Sequence, residues 1–100
     1  MLNEDNKNDE LLLFGSKKCS VCSSIRQKIE ELVVPKFPNL KYQYIDTEKE
    51  SEKAAIDGVF TIPVVIVKFE GKEYVRLVRN FSINELIEKI ERPYRLMFDE

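Results

Sequence analysis

The stretch LLLFGSKKCSVC, residues 11–22, contains the change of pattern that decides the fold. Residues 11–14 form a continuous apolar run that Gly15 and Ser16 end, which is typical of a strand buried on both faces. The sequence therefore predicts a strand that leads into a helix, with two cysteines at the junction. The apolar residues that follow the strand recur with a helical period, at Val21, Cys22, Ile25, Ile29, Leu32 and Val33.

The chain after this helix alternates between strand and helix patterns. Pro35 and Pro38 are expected to end the first helix. Residues 42–45 are rich in strand-forming side chains and predict a second strand. A short charged helix is expected through residues 54–56, with Gly58 in the position of a C-cap.

The last third of the chain predicts a hairpin and a final helix. Residues 64–67 and 74–78 are β-branched and aromatic runs on either side of the turn at 70–72. The segment SINE, residues 82–85, has the spacing of a capping box, so a helix should begin there. Pro93 is expected to end that helix.

These elements predict one α/β domain with the order βαβαββα. The first three strands are joined through helices, so we expect them to be parallel with right-handed crossovers, and the fourth to be antiparallel. The predicted architecture is a mixed four-stranded sheet with helices on both faces. We expect residues 1–10 to be a disordered leader, 11–92 the domain, and 93–100 a C-terminal tail.

Composition excludes several classes of function. The net charge is −2, with 16 basic and 18 acidic residues mixed along the chain, so no basic face for nucleic acid is expected. No apolar run approaches the roughly 18 residues of a membrane span. The N-terminal residues are polar and acidic without the pattern of a signal peptide, so we expect a cytoplasmic protein. We also expect a monomer that binds neither nucleic acid nor a membrane.

The chain has two cysteines, three positions apart, and no histidine. Two cysteines cannot build a disulfide framework, and cytosolic disulfides are seldom permanent. A tetrahedral zinc site needs four ligands, so this chain could form one only as a symmetric dimer. We therefore expect no metal and no organic cofactor.

The position of the cysteines predicts different roles for them. Cys19 lies at the helix N-terminus, where unpaired N–H groups and the helix dipole stabilise a thiolate. Lys17 and Lys18 either add to this effect or serve only as surface charges. Cys22 lies one turn further along the apolar stripe and should be less exposed. We therefore expect Cys19 to attack disulfides and Cys22 to resolve the product, with non-helical angles at Cys19 that let the pair close.

The sequence resembles the thioredoxin family over roughly residues 11–91. The resemblance rests on residues 11–22, on the segment GVFTIP at 58–63, and on the hairpin and final helix that follow. Pro63 follows Cys22 by 41 residues, as in thioredoxins. The resemblance implies a short form of the fold, a cis peptide bond between Ile62 and Pro63 beside the cysteines, and substrate binding by residues 61–63 and Lys18.

Four departures from the thioredoxin pattern bear on mechanism. Lys18 replaces the usual tryptophan, and Ser20-Val21 replaces Gly-Pro between the cysteines. Leu13 stands where thioredoxins carry a buried acid, so that proton acceptor is missing. Arg79 stands where a glycine lines the substrate groove. The Gly-Gly pair of glutaredoxins is absent as well, which disfavours glutathione as an obligate partner.

The sequence therefore predicts a thiol–disulfide oxidoreductase that reduces protein disulfides through a mixed disulfide and is recycled by a separate reductase. The alternative left open is a redox-sensing or adaptor module of the same fold. Such a module would bind a partner according to the state of its own disulfide, without turnover.

Overall fold

The computed structural model describes residues 9–98 of the chain. Residues 1–8 of the expected leader and 99–100 of the expected tail lie outside the described part. The predicted order of elements, βαβαββα, is confirmed. The elements are β1 (Glu10–Gly15), α1 (Ser20–Lys28) with a π-helical continuation (Ile29–Val33), β2 (Lys41–Asp46), α2 (Ser51–Ile56), β3 (Val64–Phe69), β4 (Lys72–Val78) and α3 (Ile83–Phe98).

The four strands form one mixed sheet in the order β2-β1-β3-β4. Strand β1 is parallel to β2, whereas β3 is antiparallel to β1 and to β4. The four-stranded mixed sheet is confirmed, but the prediction of three parallel strands is wrong. The six-residue helix α2 rises only about 9 Å, whereas a strand of six residues spans about 20 Å. The connection therefore does not carry the chain back across the sheet, and β3 starts at the edge where β1 and β2 end.

The core lies on both faces of β1, whose residues 11–14 are all fully buried. Leu11 and Leu13 pack on the face that holds α3 and the continuation of α1. Leu12 and Phe14 pack on the opposite face, with Ala54 of α2. Helices therefore cover both faces of the sheet, as the continuous apolar run predicts.

The apolar stripe of the first helix is only partly buried. Cys22, Ile29 and Val33 are buried, but Val21 and Leu32, which were expected on the same face, are 55% and 54% exposed. The N–H of Val34 donates to the carbonyl of Ile29 at 2.9 Å, a π-helical bond that widens this turn. The extra residue per turn shifts side chains near Leu32 from an ideal helical stripe, whereas Val21 lies before this turn, at the start of α1.

Helix α3 continues through Pro93 to Phe98, so the predicted helix end at Pro93 is wrong. The ring of Tyr94 packs against Phe98 at 4.8 Å and against Phe37 at 4.9 Å between centroids. The Tyr94 hydroxyl also accepts a hydrogen bond from the N–H of Asn39 at 3.0 Å. These contacts offset the hydrogen bond that proline removes from a helix interior.

The first described residues belong to the fold. Asp9, expected in the leader, is buried. Its carboxylate accepts a hydrogen bond from the N–H of Glu70 at 2.8 Å, and its carbonyl accepts one from Lys41. Glu10 already pairs with β2 and β3. Within residues 9–98, none of the helices has the length and apolar character needed to cross a membrane.

Candidate active site

Cys19 is the N-cap residue of α1. Its backbone angles, φ −99° and ψ 106°, are extended, and its sulfur accepts a hydrogen bond from the N–H of Cys22 at 3.2 Å. The first turn of this helix contains no acidic residue, whereas Arg26 and Lys28 lie in its last turn. The local field therefore favours a negative charge on the Cys19 sulfur.

Cys19 and Cys22 form a disulfide, with their Cα atoms 5.2 Å apart. This separation lies within the range that disulfides require, and the extended angles at Cys19 make it possible. Cys19 is partly exposed, whereas Cys22 is 1% exposed. The pair is thus asymmetric, with one sulfur-bearing residue at the surface and the other in the interior.

Gly15, the last residue of β1, lies in a crowded position beside Cys22. A Cβ atom placed on Gly15 would lie 2.9 Å from the hydroxyl of Tyr44 and 3.2 Å from the Cβ of Cys22. The Tyr44 phenol, from the neighbouring strand β2, therefore approaches Cys22 across the space that a side chain would fill. The guanidinium of Arg26 lies over the Tyr44 ring, 3.9 Å from its centroid.

The loop between β1 and α1 is attached to the loop after β2. The buried hydroxyl of Ser16 donates to the carboxylate of Glu48 at 2.9 Å and accepts from the N–H of Lys18 at 3.1 Å. The N–H of Thr47 donates to the carbonyl of Gly15 at 2.9 Å. The Lys18 ammonium lies 4.0 Å from Glu48, but its side chain is 87% exposed, so this ion pair is weak.

The Ile62–Pro63 peptide bond is cis, as the family resemblance implies. Pro63 directly precedes β3, and the first residue of β3, Val64, pairs with Phe14 at the end of β1. The cis-proline and the cysteine loop therefore lie at the same edge of the sheet. The carbonyl of Pro63 accepts a hydrogen bond from the N–H of Arg79 at 2.7 Å, and Arg79 has a positive φ of 61°.

A cleft of about 330 Å³ lies beside the residues that precede Pro63. Thr61 and Ile62 are half-buried in its wall, and Phe60, also in its wall, is 86% exposed. The cleft reaches across to Thr47 after β2 and to Ala54 in α2. Of the residues expected to bind substrate, Thr61, Ile62 and Pro63 therefore lie together, and Lys18 lies in the cysteine loop at the same edge.

Two other polar side chains, those of Asp46 and Arg76, make structural contacts. The carboxylate of Asp46 accepts the N–H of Glu48 at 2.9 Å, within the turn that follows β2. The guanidinium of Arg76 donates to the carbonyl of Asp57 at 2.7 Å and so holds the end of α2. Leu13 is fully buried in the core, so β1 supplies no carboxylate there. In residues 9–98, no three potential metal-ligating side chains cluster together.

Fold and site together define a class of protein. A Cys-x-x-Cys disulfide at a helix N-terminus, with a cis-proline at the same edge of a four-stranded sheet, is the site of a thiol oxidoreductase with a thioredoxin-like fold. No family model matches the sequence. Its family follows instead from comparison with individual proteins.

The thioredoxin-like protein YdfQ of Bacillus subtilis is 33% identical over 78 residues, which cover 78% of this chain and 69% of that protein. The chain therefore belongs to the thioredoxin-like family. The structure of thioredoxin 1 from Thermosipho africanus matches with a TM-score of 0.80 and 34% identity, over 88% of this chain and 97% of that one. Thioredoxin from Trypanosoma brucei brucei shares the fold, with a TM-score of 0.79 and 20% identity over 91% of this chain and 79% of its own.

Proposed function

We propose that this protein reduces disulfide bonds in other proteins, with Cys19 as the attacking sulfur and Cys22 as the resolving one. The observation that carries the proposal is the asymmetry of the pair. Cys19 caps a helix N-terminus and is partly exposed, whereas Cys22 is 1% exposed. An incoming disulfide reaches the first sulfur, which is also the one that the helix end stabilises as a thiolate.

The exchange takes place in two steps that balance in electrons and protons. The Cys19 thiolate attacks one substrate sulfur, and the other leaves as a thiolate that takes a proton from water. The Cys22 thiol then gives its proton to water, and its sulfur attacks Cys19, which breaks the bond between Cys19 and the substrate. The substrate sulfur that leaves Cys19 takes a proton from water. The substrate has gained two electrons and two protons, and the Cys19–Cys22 disulfide remains.

Residues 61–63 are proposed to hold the substrate chain. The backbone groups of Ile62 make no hydrogen bond to any other described residue, so they are free to pair with an extended segment. Phe60 and the cleft next to it offer an apolar surface for neighbouring substrate side chains. Lys18, with its exposed ammonium on the cysteine loop, is proposed to contact the substrate from the other side.

Other components follow from this chemistry. A separate reductase must reduce the Cys19–Cys22 disulfide before each new cycle, and the exchange itself uses no metal or organic cofactor. We propose that the protein acts in the cytoplasm, because thiols are kept reduced there and reduction is the net direction of exchange. We also propose that it acts as a monomer. Nucleic acid and membranes have no role in this proposal.

The decisive experiment compares the two serine variants. Cys22→Ser should accumulate covalent complexes with disulfide-containing proteins, because attack by Cys19 proceeds and release does not. Those complexes should dissolve when a small thiol is added. The matched variant Cys19→Ser should accumulate far fewer, because its remaining thiol is buried.

The measurement is non-reducing electrophoresis and mass spectrometry of the folded variants after incubation with a disulfide-bonded protein. An absence of thiol-reversible complexes with Cys22→Ser, in protein whose Cys19 is reduced, would overturn the catalytic proposal. A partner held without a covalent bond by either variant would indicate an adaptor instead.

A further inference from the structure

The resolving step requires Cys22 to ionise in a place that opposes ionisation. Cys22 is 1% exposed, and burial away from water disfavours a thiolate. Leu13, which lies on the same face of β1 as Gly15, is apolar and fully buried, so it cannot stabilise a nearby charge. A polar group from another element can supply that stabilisation.

The structure brings one such group to Cys22 from strand β2. The hydroxyl of Tyr44 and the Cβ of Cys22 lie 2.9 Å and 3.2 Å from the same point, where a Cβ of Gly15 would stand. The two side chains thus converge in the space that Gly15 leaves open.

We propose that the Tyr44 hydroxyl donates a hydrogen bond to the Cys22 thiolate and so accelerates resolution of the mixed disulfide. This inference rests on the proposed function. A buried nucleophilic sulfur ionises more readily when a charged or hydrogen-bonding group stabilises its thiolate, and Tyr44 is that group in this protein. The approach of the two side chains depends on Gly15, because a side chain at that position would occupy the space between them.

The chemistry of the phenol suits a donor and not a base. Burial raises the pKa of Tyr44 above its ordinary value, the charge of Asp46 raises it as well, and the charge of Arg26 lowers it. The net direction is upward, so the hydroxyl keeps its proton at neutral pH. Arg26 and Asp46 are the charged groups that act on this phenol, and the Arg26 cation over the ring strengthens the O–H as a donor.

The step remains balanced with Tyr44 in this role. The Cys22 thiol gives its proton to water, and Tyr44 keeps its own proton while donating to the sulfur. The sulfur then forms the bond to Cys19, and the substrate sulfur leaves with the electron pair and takes a proton from water. Tyr44 changes the fraction of Cys22 that is ionised and is itself unchanged at the end.

The first test measures the pKa of Cys22 directly. In a Cys19→Ser background Cys22 is the single thiol, and its ionisation can be followed by the ultraviolet absorbance of the thiolate. Adding Tyr44→Phe should raise that pKa by about one unit, which is tenfold in the ionisation constant. Tyr42→Phe is the matched control, because its hydroxyl donates to Glu30 at 2.7 Å and not towards Cys22. Equal Cys22 pKa values in the Tyr44→Phe and Tyr42→Phe proteins would overturn the inference.

The second test measures resolution in the protein with both cysteines. A mixed disulfide is formed between Cys19 and a labelled thiol peptide, and release of the peptide is timed. Tyr44→Phe should slow release about threefold at neutral pH, because a tenfold smaller thiolate fraction is partly offset by a more nucleophilic sulfur. This slowing should disappear at high pH, where Cys22 is ionised in both proteins. A defect that merely disturbs packing would persist at every pH, and that result would overturn the inference.

The same experiment separates this inference from the proposed function. If Cys22→Ser releases the peptide as fast as the unaltered protein, Cys22 does not resolve, and the proposed function fails. If release requires Cys22 but Tyr44→Phe matches the unaltered protein, the function stands and only the role of Tyr44 is overturned. Thermal unfolding of each variant verifies that it is folded.

Discussion

At the scale of single residues, Gly15 determines how closely β2 can approach the active-site helix. A methyl group at this position would lie 2.9 Å from the Tyr44 hydroxyl and 3.2 Å from the Cβ of Cys22. We expect Gly15→Ala to destabilise the protein by about 1–3 kcal/mol through overpacking. Urea unfolding of the oxidised protein measures the change.

A double-mutant cycle verifies the cause of that loss. Tyr44→Phe removes the nearest of the three obstructing atoms, so Gly15→Ala should cost less in its presence than alone. Additive losses would indicate that Gly15 is required for another reason, such as its contact with Cys22.

Exposure should also separate the two thiols after reduction. Cys19 is partly exposed at the end of a helix, and Cys22 is 1% exposed. We expect an alkylating reagent at neutral pH to modify Cys19 well before Cys22, because the thiolate at the surface is the reactive species. Peptide mapping at increasing reaction times measures both rates, and equal rates or faster labelling of Cys22 would contradict the roles given to the pair.

The site could be predicted from the sequence only where its residues are neighbours along the chain. Cys19 and Cys22 follow from their place between a strand and a helix, and the cis bond before Pro63 followed from the family resemblance. Glu48 and Tyr44 were not found, because they reach the cysteine loop across the sheet from another strand. The signal that could have indicated both is their position in and just after the second strand, which was expected to end at the same edge as the first.

At the scale of elements, the β3–β4 turn lacks the sequence that its backbone geometry favours. Glu70 and Gly71 both have positive φ, 56° and 81°, which is the geometry of a type I′ turn. Asn-Gly is the preferred sequence for such a turn, so Glu70→Asn should stabilise the protein by about 0.5–1 kcal/mol. The N–H that Asp9 binds is kept in this variant.

Urea unfolding compares Glu70→Asn with the control Lys72→Asn, placed at the first residue of β4. The control should bring no gain, because asparagine is a poor strand former. A loss of stability with Glu70→Asn would indicate that the glutamate side chain contributes more than its backbone strain costs.

Two elements show why local patterns gave an incomplete fold. The direction of β3 depends on how far the chain travels between Asp46 and Val64, which no periodicity in the sequence records. The passage of α3 through Pro93 depends on the packing of Tyr94 against Phe37, more than fifty positions away. The length of a connection decides the first feature and a contact distant in sequence decides the second, and local rules record neither.

At the scale of the whole molecule, the free energy of unfolding of the oxidised protein should be nearly independent of pH around neutrality. The chain has no histidine, and both cysteines are in the disulfide, so no side chain with an ordinary pKa between about 5 and 8 remains. The hydrogen bond from Tyr42, with help from Arg26, lowers the pKa of Glu30. Arg76 likewise lowers the pKa of Glu73.

Both carboxyl groups have a lower pKa in the folded state than the unfolded value of 4.5. Their contribution to the free energy of unfolding is therefore present above pH 4.5 and is lost as the pH falls through the folded pKa values. Burial raises the pKa of Tyr42 and Tyr44, so stability is kept below pH 10.0 and falls above it. Urea midpoints measured from acid to alkaline pH follow both losses of stability. Glu30→Gln should reduce the loss at acid pH, and Tyr42→Phe should reduce the loss at alkaline pH. A step in stability near neutral pH would contradict the prediction.

The approach of Tyr44 to Cys22 has an optical consequence. The chain contains no tryptophan and four tyrosines, so its ultraviolet emission comes from phenol rings, and that of Tyr44 approaches Cys22 at Gly15. A disulfide quenches the emission of an aromatic ring that it adjoins, and a pair of thiols does so less. Emission should therefore rise when the pair is reduced, and Tyr44→Phe should remove most of that rise. The oxidation state of the Cys19–Cys22 pair can thus be followed by tyrosine emission without any added dye.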